Sequence, residues 1–239
     1  MNNIEVCFSP QLYPLHDSEN RIVVVVDILR ATSVICTMFH NNVKKVIPVK
    51  TIDDARKHKD NGSIIVAERD GKKLDFADFG NSPFYFTKDI VENKELVYST
   101  TNGTNAINIG KNAKEVIIAS FINLSAISEY IISKNEDILI LCAGWKGKFC
   151  LEDSVFAGAL IEKLTVSNKF STICDSAKAS IDLWKLSKPN LMGYIQKVAQ
   201  RERLRKLGLD DVIEYCHNID LSKVIPVLEN GYLIDISKK

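Results

Sequence analysis

The stretch VVVVDILRATS, residues 23–33, runs four valines into an aspartate and, after two apolar residues, an arginine. An unbroken β-branched run reads as a strand covered by protein on both faces, the situation at the centre of an α/β sheet. Ligands of such sheets bind outside the carboxyl ends of the strands. Asp27 and Arg30 are therefore expected at a ligand-binding crevice.

Outward from this strand, apolar runs at residues 4–8, 22–27, 43–49, 63–68, 95–100, 114–120 and 137–144 alternate with helical patterns that start at Ala31, Thr51, Ser82, Asn102, Asn123 and Glu152. That alternation predicts a three-layer α/β/α fold around a largely parallel or mixed sheet. Thr51 with Asp54 forms a capping-box-like start, and Ser82-Pro83 offers an N-cap followed by proline at the first helical position. From Ser176 the pattern changes to consecutive helices over 176–188, 190–208 and 210–219. A hairpin closes the chain, with Asn230-Gly231 as its turn. No repeat or Pro/Gly-rich linker divides the sequence, so one domain over 1–239 is expected, readable as an α/β core at 1–175 and a helical cap with terminal hairpin at 176–239.

Charges are balanced, with 31 Lys and Arg against 30 Asp and Glu. They are also dispersed, which argues against nucleic acid or an anionic membrane as partner and for a small ligand. No apolar run approaches the roughly 20 residues of a membrane span, and the first residues lack a signal-peptide pattern, so a cytoplasmic location is expected. Cys7, Cys36, Cys142, Cys150, Cys174 and Cys216 show no C-x-x-C spacing and read as reduced core thiols. His16, His40, His58 and His217 are scattered, so neither a zinc site nor a catalytic histidine is expected.

Polar clusters follow the expected strands at 27–33, 68–71 with 78–83, 99–104, 142–147 and 152–154. Asp27 places a carboxylate where Mg²⁺, a phosphoryl group or a leaving-group proton would be handled; the plainer reading is an N-cap or an ion pair with Arg30. An aspartyl-phosphate mechanism of the D-x-D type is disfavoured because the second position is Leu29. Arg30 suits bidentate anion binding, and Thr32 and Ser33 add hydroxyls at a helix start. Glu68 and Arg69 repeat the carboxylate-guanidinium arrangement, with Asn81 and Ser82 downstream. Thr100, Thr101, Asn102 and Gly103 form a hydroxyl-rich turn suited to cradling a phosphate, without the Lys of a nucleotide P-loop. Cys142 and Lys148 do not match C-x₅-R, so a cysteine phosphatase is disfavoured. Glu152 and Asp153 read either as helix-dipole partners or as further metal carboxylates.

In order, D-I-L-R-A-T-S, A-E-R-D-G, F-G-N-S-P, T-T-N-G-T, C-A-G-x-x-G with E-D, and the late L-G-L-D-D-V-I-E-Y-C with V-I-P-V resemble the 2-phosphosulfolactate phosphatase family over about residues 4–236. One stretch, KVAQRERLRKL at 197–207, is more charged than that family's pattern. The resemblance implies an Mg²⁺-dependent phosphatase that hydrolyses 2-phospho-3-sulfolactate to 3-sulfolactate and phosphate, a step towards coenzyme M. On that reading some of Asp27, Glu68, Glu152 and Asp153 supply the metal ligands. Arg30, Arg69, Asn81, Ser82 and the turn from Thr100 to Gly103 bind the anionic groups, with Thr32 and Ser33 beside them. Asp27 or Ser33 accepts the phosphoryl group, or water attacks directly. The alternatives are a phosphatase for another phospho-carboxylate and a non-catalytic anion-binding module. A homodimer is the base-rate expectation for an enzyme of this size.

Overall fold

The structure is a computed structural model and describes residues 1–238. Its strands are β1 (Asn2–Cys7), β2 (Ile22–Val26), β3 (Lys45–Pro48), β4 (Ile64–Arg69), β5 (Lys72–Lys73), β6 (Glu95–Ser99), β7 (Glu115–Ala119), β8 (Ile138–Cys142), β9 (Phe170–Ser171), β10 (Pro226–Glu229) and β11 (Tyr232–Asp235). Its helices are α1 (Ala31–His40), α2 (Ile52–Asp60), α3 (Lys88–Val91), α4 (Gly103–Gly110), α5 (Leu124–Lys134), α6 (Leu151–Val166), α7 (Asp175–Ser187), α8 (Leu191–Ile195), α9 (Ala199–Lys206) and α10 (Asp211–His217).

β2 lies between β7 and β8, parallel to both. Its valines alternate between two apolar layers. Val24 and Val26 pack with Ile140, Phe156 and Leu160 on one face. Val23 and Val25 pack with Ile35, Phe39 and Ile107 on the other. Burial of every valine on one face or the other contributes roughly 1.5 kcal/mol or more per side chain and explains why the run tolerates no polar residue.

All the strands join one eleven-stranded sheet in the order β5-β4-β6-β3-β11-β10-β7-β2-β8-β1-β9. The pairing sense reverses in its middle: β10 is antiparallel to β7, β11 is antiparallel to β10, and β3 is antiparallel to β11. The group β3, β6 and β4 is internally parallel but opposed to the group β7, β2, β8 and β1. Sheet twist of roughly 20–25° per strand turns the five steps from β2 to β6 through roughly 100–125°. The two groups therefore meet at an acute angle, with their carboxyl ends converging, instead of lying head to tail.

The expected strands all form, as do helices from Ala31, after Thr51 and at Asn102, Asn123 and Glu152. The Thr51 side chain accepts from the Asp54 N–H at 3.0 Å. Two expectations differ. The helix expected from Ser82 is only a 3₁₀ turn, Pro83–Tyr85, because Phe86 turns inward to full burial and packs edge-on against Phe79. The helix expected over 190–208 breaks into α8 and α9 at extended Val198, which lets both Ile195 and Val198 reach the core. The closing hairpin forms, with Asn230 and Gly231 both at positive φ. It is inserted at the centre of the sheet, not added to its rim. Ala177, Trp184, Ile195, Leu204 and Ile213 from the C-terminal helices share one apolar cluster with Val24 and Ile140.

α6 and α7 cross at Gly158, where a Cβ would collide with the Ser180 carbonyl and the Trp184 Cβ. Helix propensity alone favours Gly158→Ala by about 1 kcal/mol. The collision with fixed backbone outweighs it. Gly158→Ala is expected to lose about 1–2 kcal/mol of unfolding free energy in urea titration, and a gain would show that α7 can slide away.

Candidate active site

Where β2 ends, the chain turns sharply into α1 through a cis Leu29–Arg30 peptide. The turn is held by its own polar side chains. Thr32 Oγ1 accepts from the Asp27 N–H and donates to the Asp27 carbonyl, both at 3.0 Å. Ser33 Oγ donates to the Ile28 carbonyl at 2.9 Å. Both hydroxyls are fully buried, so Thr32 and Ser33 shape the turn and do not face the cleft.

Two carboxylates tie loops together. Asp153 accepts from the Ile28 N–H at 2.9 Å and the Gly144 N–H at 3.2 Å, which fixes the end of β2 to the loop after β8. Glu68 accepts from the Gly71 N–H at 2.6 Å and from the Thr101 N–H at 2.7 Å and hydroxyl at 3.2 Å, which fixes the loop after β4 to the loop after β6. Arg69 is a tether of the same kind: it donates to the Ser99 hydroxyl at 2.9 Å and carbonyl at 3.2 Å, and to the Glu68 carbonyl at 2.6 Å. Thr100 and Thr104 exchange hydroxyl and backbone bonds at the start of α4. Gly103 is required there, since a Cβ would strike Ala31 and come within 2.9 Å of Asp27 Oδ2.

What faces the cleft is a smaller set. A narrow neck of about 10 Å³ is lined by Asp27, Arg30, Glu68, Asn81, Asn102, Trp145 and Gln200, with Leu29 and Gly71. That is room for a single water. Arg30 is buried and donates one bond, to the Gly71 carbonyl at 3.3 Å; its remaining N–H groups have no protein acceptor among the described residues. Asn81 is held by the Tyr98 hydroxyl, which donates to its Oδ1. Ser82 is buried beside it without lining the neck. Glu152 opens onto an adjoining pocket of about 230 Å³ with Phe149, Lys197 and Arg203, and Gln200 lines both spaces.

Trp145, Gln200 and Arg203 were not among the residues expected at the site. The charged run at 197–207 was the available signal for two of them, and the C-A-G-W-K-G turn for the third.

Burial raises the Asp27 carboxyl to about 7; the Ala31 N–H and Arg30 hold it down while the charges of Glu68 and Glu152 push it up. Burial likewise raises Glu152 to about 7, against the pull of its own N–H, the Cys150 thiol and Arg203. Asp153 is raised well above the usual range by burial and by Glu152 and Asp27. Carboxylate charge thus exceeds the buried guanidinium of Arg30. Asp27 Oδ2 makes no protein hydrogen bond among the described residues, and Glu152 has only its own N–H and the Cys150 thiol. Among those residues no three Asp, Glu, His or Cys form a ready-made cage. An excess of buried carboxylate with free oxygens on two residues fits Mg²⁺, which keeps several waters and is commonly held by one or two carboxylates together with substrate phosphate.

The family model described as 2-phosphosulpholactate phosphatase matches residues 7–231. A protein of Thermotoga petrophila named a probable 2-phosphosulfolactate phosphatase is 42% identical over 222 residues, covering 92% of this chain and 95% of its own length. Proteins of the same name from Caldanaerobacter subterraneus subsp. tengcongensis and Clostridium acetobutylicum are 38% and 36% identical over 219 residues, covering 90% of this chain and 90% and 93% of their own.

A carboxyl whose folded pKa is raised contributes stability below its unfolded pKa and loses it as pH rises through the folded value. For Glu152 that window runs from the ordinary 4.5 to about 7. Metal-free Glu152→Gln is therefore expected to be more stable than the parent at pH 8, by about 1–3 kcal/mol, with the gain vanishing near pH 4. Urea titrations at the two pH values measure it, and equal stability at pH 8 would mean that Glu152 is not strained by its charge.

Proposed function

The chain belongs to the 2-phosphosulpholactate phosphatase family and is a phosphoric monoester hydrolase, and from that premise we propose that it hydrolyses 2-phospho-3-sulfolactate to 3-sulfolactate and phosphate with Mg²⁺. The observation that carries this reading is the approach of Glu152, in the first turn of α6, to Asp27 and Arg30 at the end of β2, two carboxylates raised to about 7 beside one buried guanidinium. Such a site is short of positive charge and provided with an anion donor.

Asp27 and Glu152 are the residues that would hold Mg²⁺, which when bound neutralises charge on the phosphoryl oxygens and polarises phosphorus towards attack. Arg30 offers its unpaired N–H groups to the same oxygens. Glu68, Asp153 and Arg69 keep the loops in register so that these groups stay aimed at one point. In the reaction the bond from phosphorus to the C2 oxygen breaks, a water oxygen joins phosphorus, and the sulfolactate oxygen leaves with a proton. With Asp27 and Glu152 engaged by the metal, water is the remaining source of that proton. Trp145, Leu29 and Gln200 limit bulk water in the neck. Ser33 is unsuited as nucleophile because its hydroxyl is buried and committed to the Ile28 carbonyl. The product lies on a route to coenzyme M. All six cysteines are free thiols, which supports a reducing, cytoplasmic setting; no helix among the described residues is long and apolar enough to cross a membrane.

Phosphate release from 2-phospho-3-sulfolactate and a panel of phospho-hydroxy acids, each with and without Mg²⁺, tests the proposal. Release is expected to need Mg²⁺ and to favour the sulfonate. Preference for another ester would keep the chemistry and change the substrate, and silence from folded, metal-supplied protein would point to a binding module. Asp27→Asn is expected to lower kcat/KM by about 100-fold or more, whereas Ser33→Ala should leave turnover within a few-fold. Because protons compete for Asp27 and Glu152 near pH 7, the Mg²⁺ needed for half-maximal rate should rise as pH falls from 8 to 6.

A further inference from the structure

We propose that the pocket of about 230 Å³ between the start of α6 and α9 receives the sulfonate arm of the substrate, with Arg203 as its main partner and Lys197 as a second cation. This rests on the reading of the chain as a phosphosulfolactate phosphatase.

Charge is the first ground. The pocket is lined by Lys197 and Arg203 against one carboxylate, Glu152, so it is left with positive charge for one more anion. The other arginines of α9 are satisfied: Arg201 pairs with Asp210 at 3.5 Å, and Arg205 with Glu202 at 3.1 Å. Arg203 has no carboxylate in ion-pair contact among the described residues. It is held in place instead, its guanidinium 4.5 Å over the Trp145 ring and one N–H donating to Gln200 Oε1 at 2.7 Å. A stacked, hydrogen-bonded guanidinium with unpaired edges is preorganised to grip an oxyanion.

Position is the second ground. Trp145 and Gln200 line the neck, and Gln200 and the Trp145-stacked Arg203 line the pocket. A ligand whose phosphoryl group is held by Arg30 at the neck therefore lies next to this pocket, with Gln200 between the two. In 2-phospho-3-sulfolactate the ester and the carboxylate share C2, while the sulfonate stands one methylene further out. Its length and its three oxygens match the more distant, roomier, cation-lined space.

The test compares kcat/KM on 2-phospho-3-sulfolactate with that on 2-phospholactate, which has a methyl in place of the sulfomethyl arm, for the full chain with Mg²⁺. In Arg203→Gln the preference for the sulfonate is expected to fall at least ten-fold, chiefly through KM; exposed Lys197→Gln should reduce it in the same direction and serves if the first variant folds poorly. Equal loss on both substrates, with the acid limb of the pH profile moved upward, would assign Arg203 to keeping Glu152 ionised and overturn the proposal. If the parent hydrolyses neither ester, the functional reading fails, and calorimetry with 3-sulfolactate and lactate decides the pocket separately. A preference for 3-sulfolactate that Arg203→Gln removes supports it, and no preference refutes it.

Discussion

Burial of several carboxylates at one point is the constraint on which the site depends. Water cannot solvate them there, so each must find N–H donors, a cation or a proton. The structure divides them accordingly. Asp153 and Glu68 take backbone N–H groups from loops distant in sequence and hold them in register. Asp27 and Glu152 retain free oxygens and are driven towards neutrality by burial, Asp27 also by the charges of Glu68 and Glu152. Loop clamps and ligand-directed groups are thus the same residue type, separated by whether the N–H groups of a second loop reach them.

That convergence depends on the sheet's unusual middle. In a uniformly parallel sheet the ends of β2 and β6 would lie far apart along one edge. Insertion of β10 and β11 reverses the pairing sense, and the accumulated twist then swings the end of β6 round to the end of β2. Gly103 pressed against Ala31 and Asp27 marks the closure. Because the joining hairpin is the last part of the chain, the two strand groups are united only by contacts of long sequence separation, the slow kind to form.

The sequence disclosed the strands because burial on both faces leaves an unmistakable valine-rich run, and it disclosed α2 because Thr51 and Asp54 cap it locally. It also pointed to Asp27 and Arg30 just past β2, to Glu68 at the end of β4 and to Glu152 at the start of α6, since each is a charge beside a buried apolar run. It did not disclose which of them would meet a loop N–H, because that depends on partners such as Gly71, Thr101 and Gly144 brought near only by the fold. The hairpin shows the same limit. Asn230-Gly231 signals the turn, yet nothing local specifies that its strands enter the centre of the sheet. Hydroxyls were over-read: Thr32 and Ser33 look available in sequence, but a tight turn after a strand needs them for its own carbonyls and N–H groups.

Floor and wall of the site have different physical origins. The floor is made by strand ends and by clamps such as Glu68 and Asp153, all anchored in the core. The wall, Trp145 with Gln200 and Arg203, comes from one loop and from α9, a short helix set off by the break at Val198. Gln200 lines both the neck and the adjoining pocket, so floor and pocket are linked through this wall. On the proposed pocket, binding energy from an arm that takes no part in bond breaking positions the ester at the neck, which favours a substrate with a second anion over a simple phosphate ester.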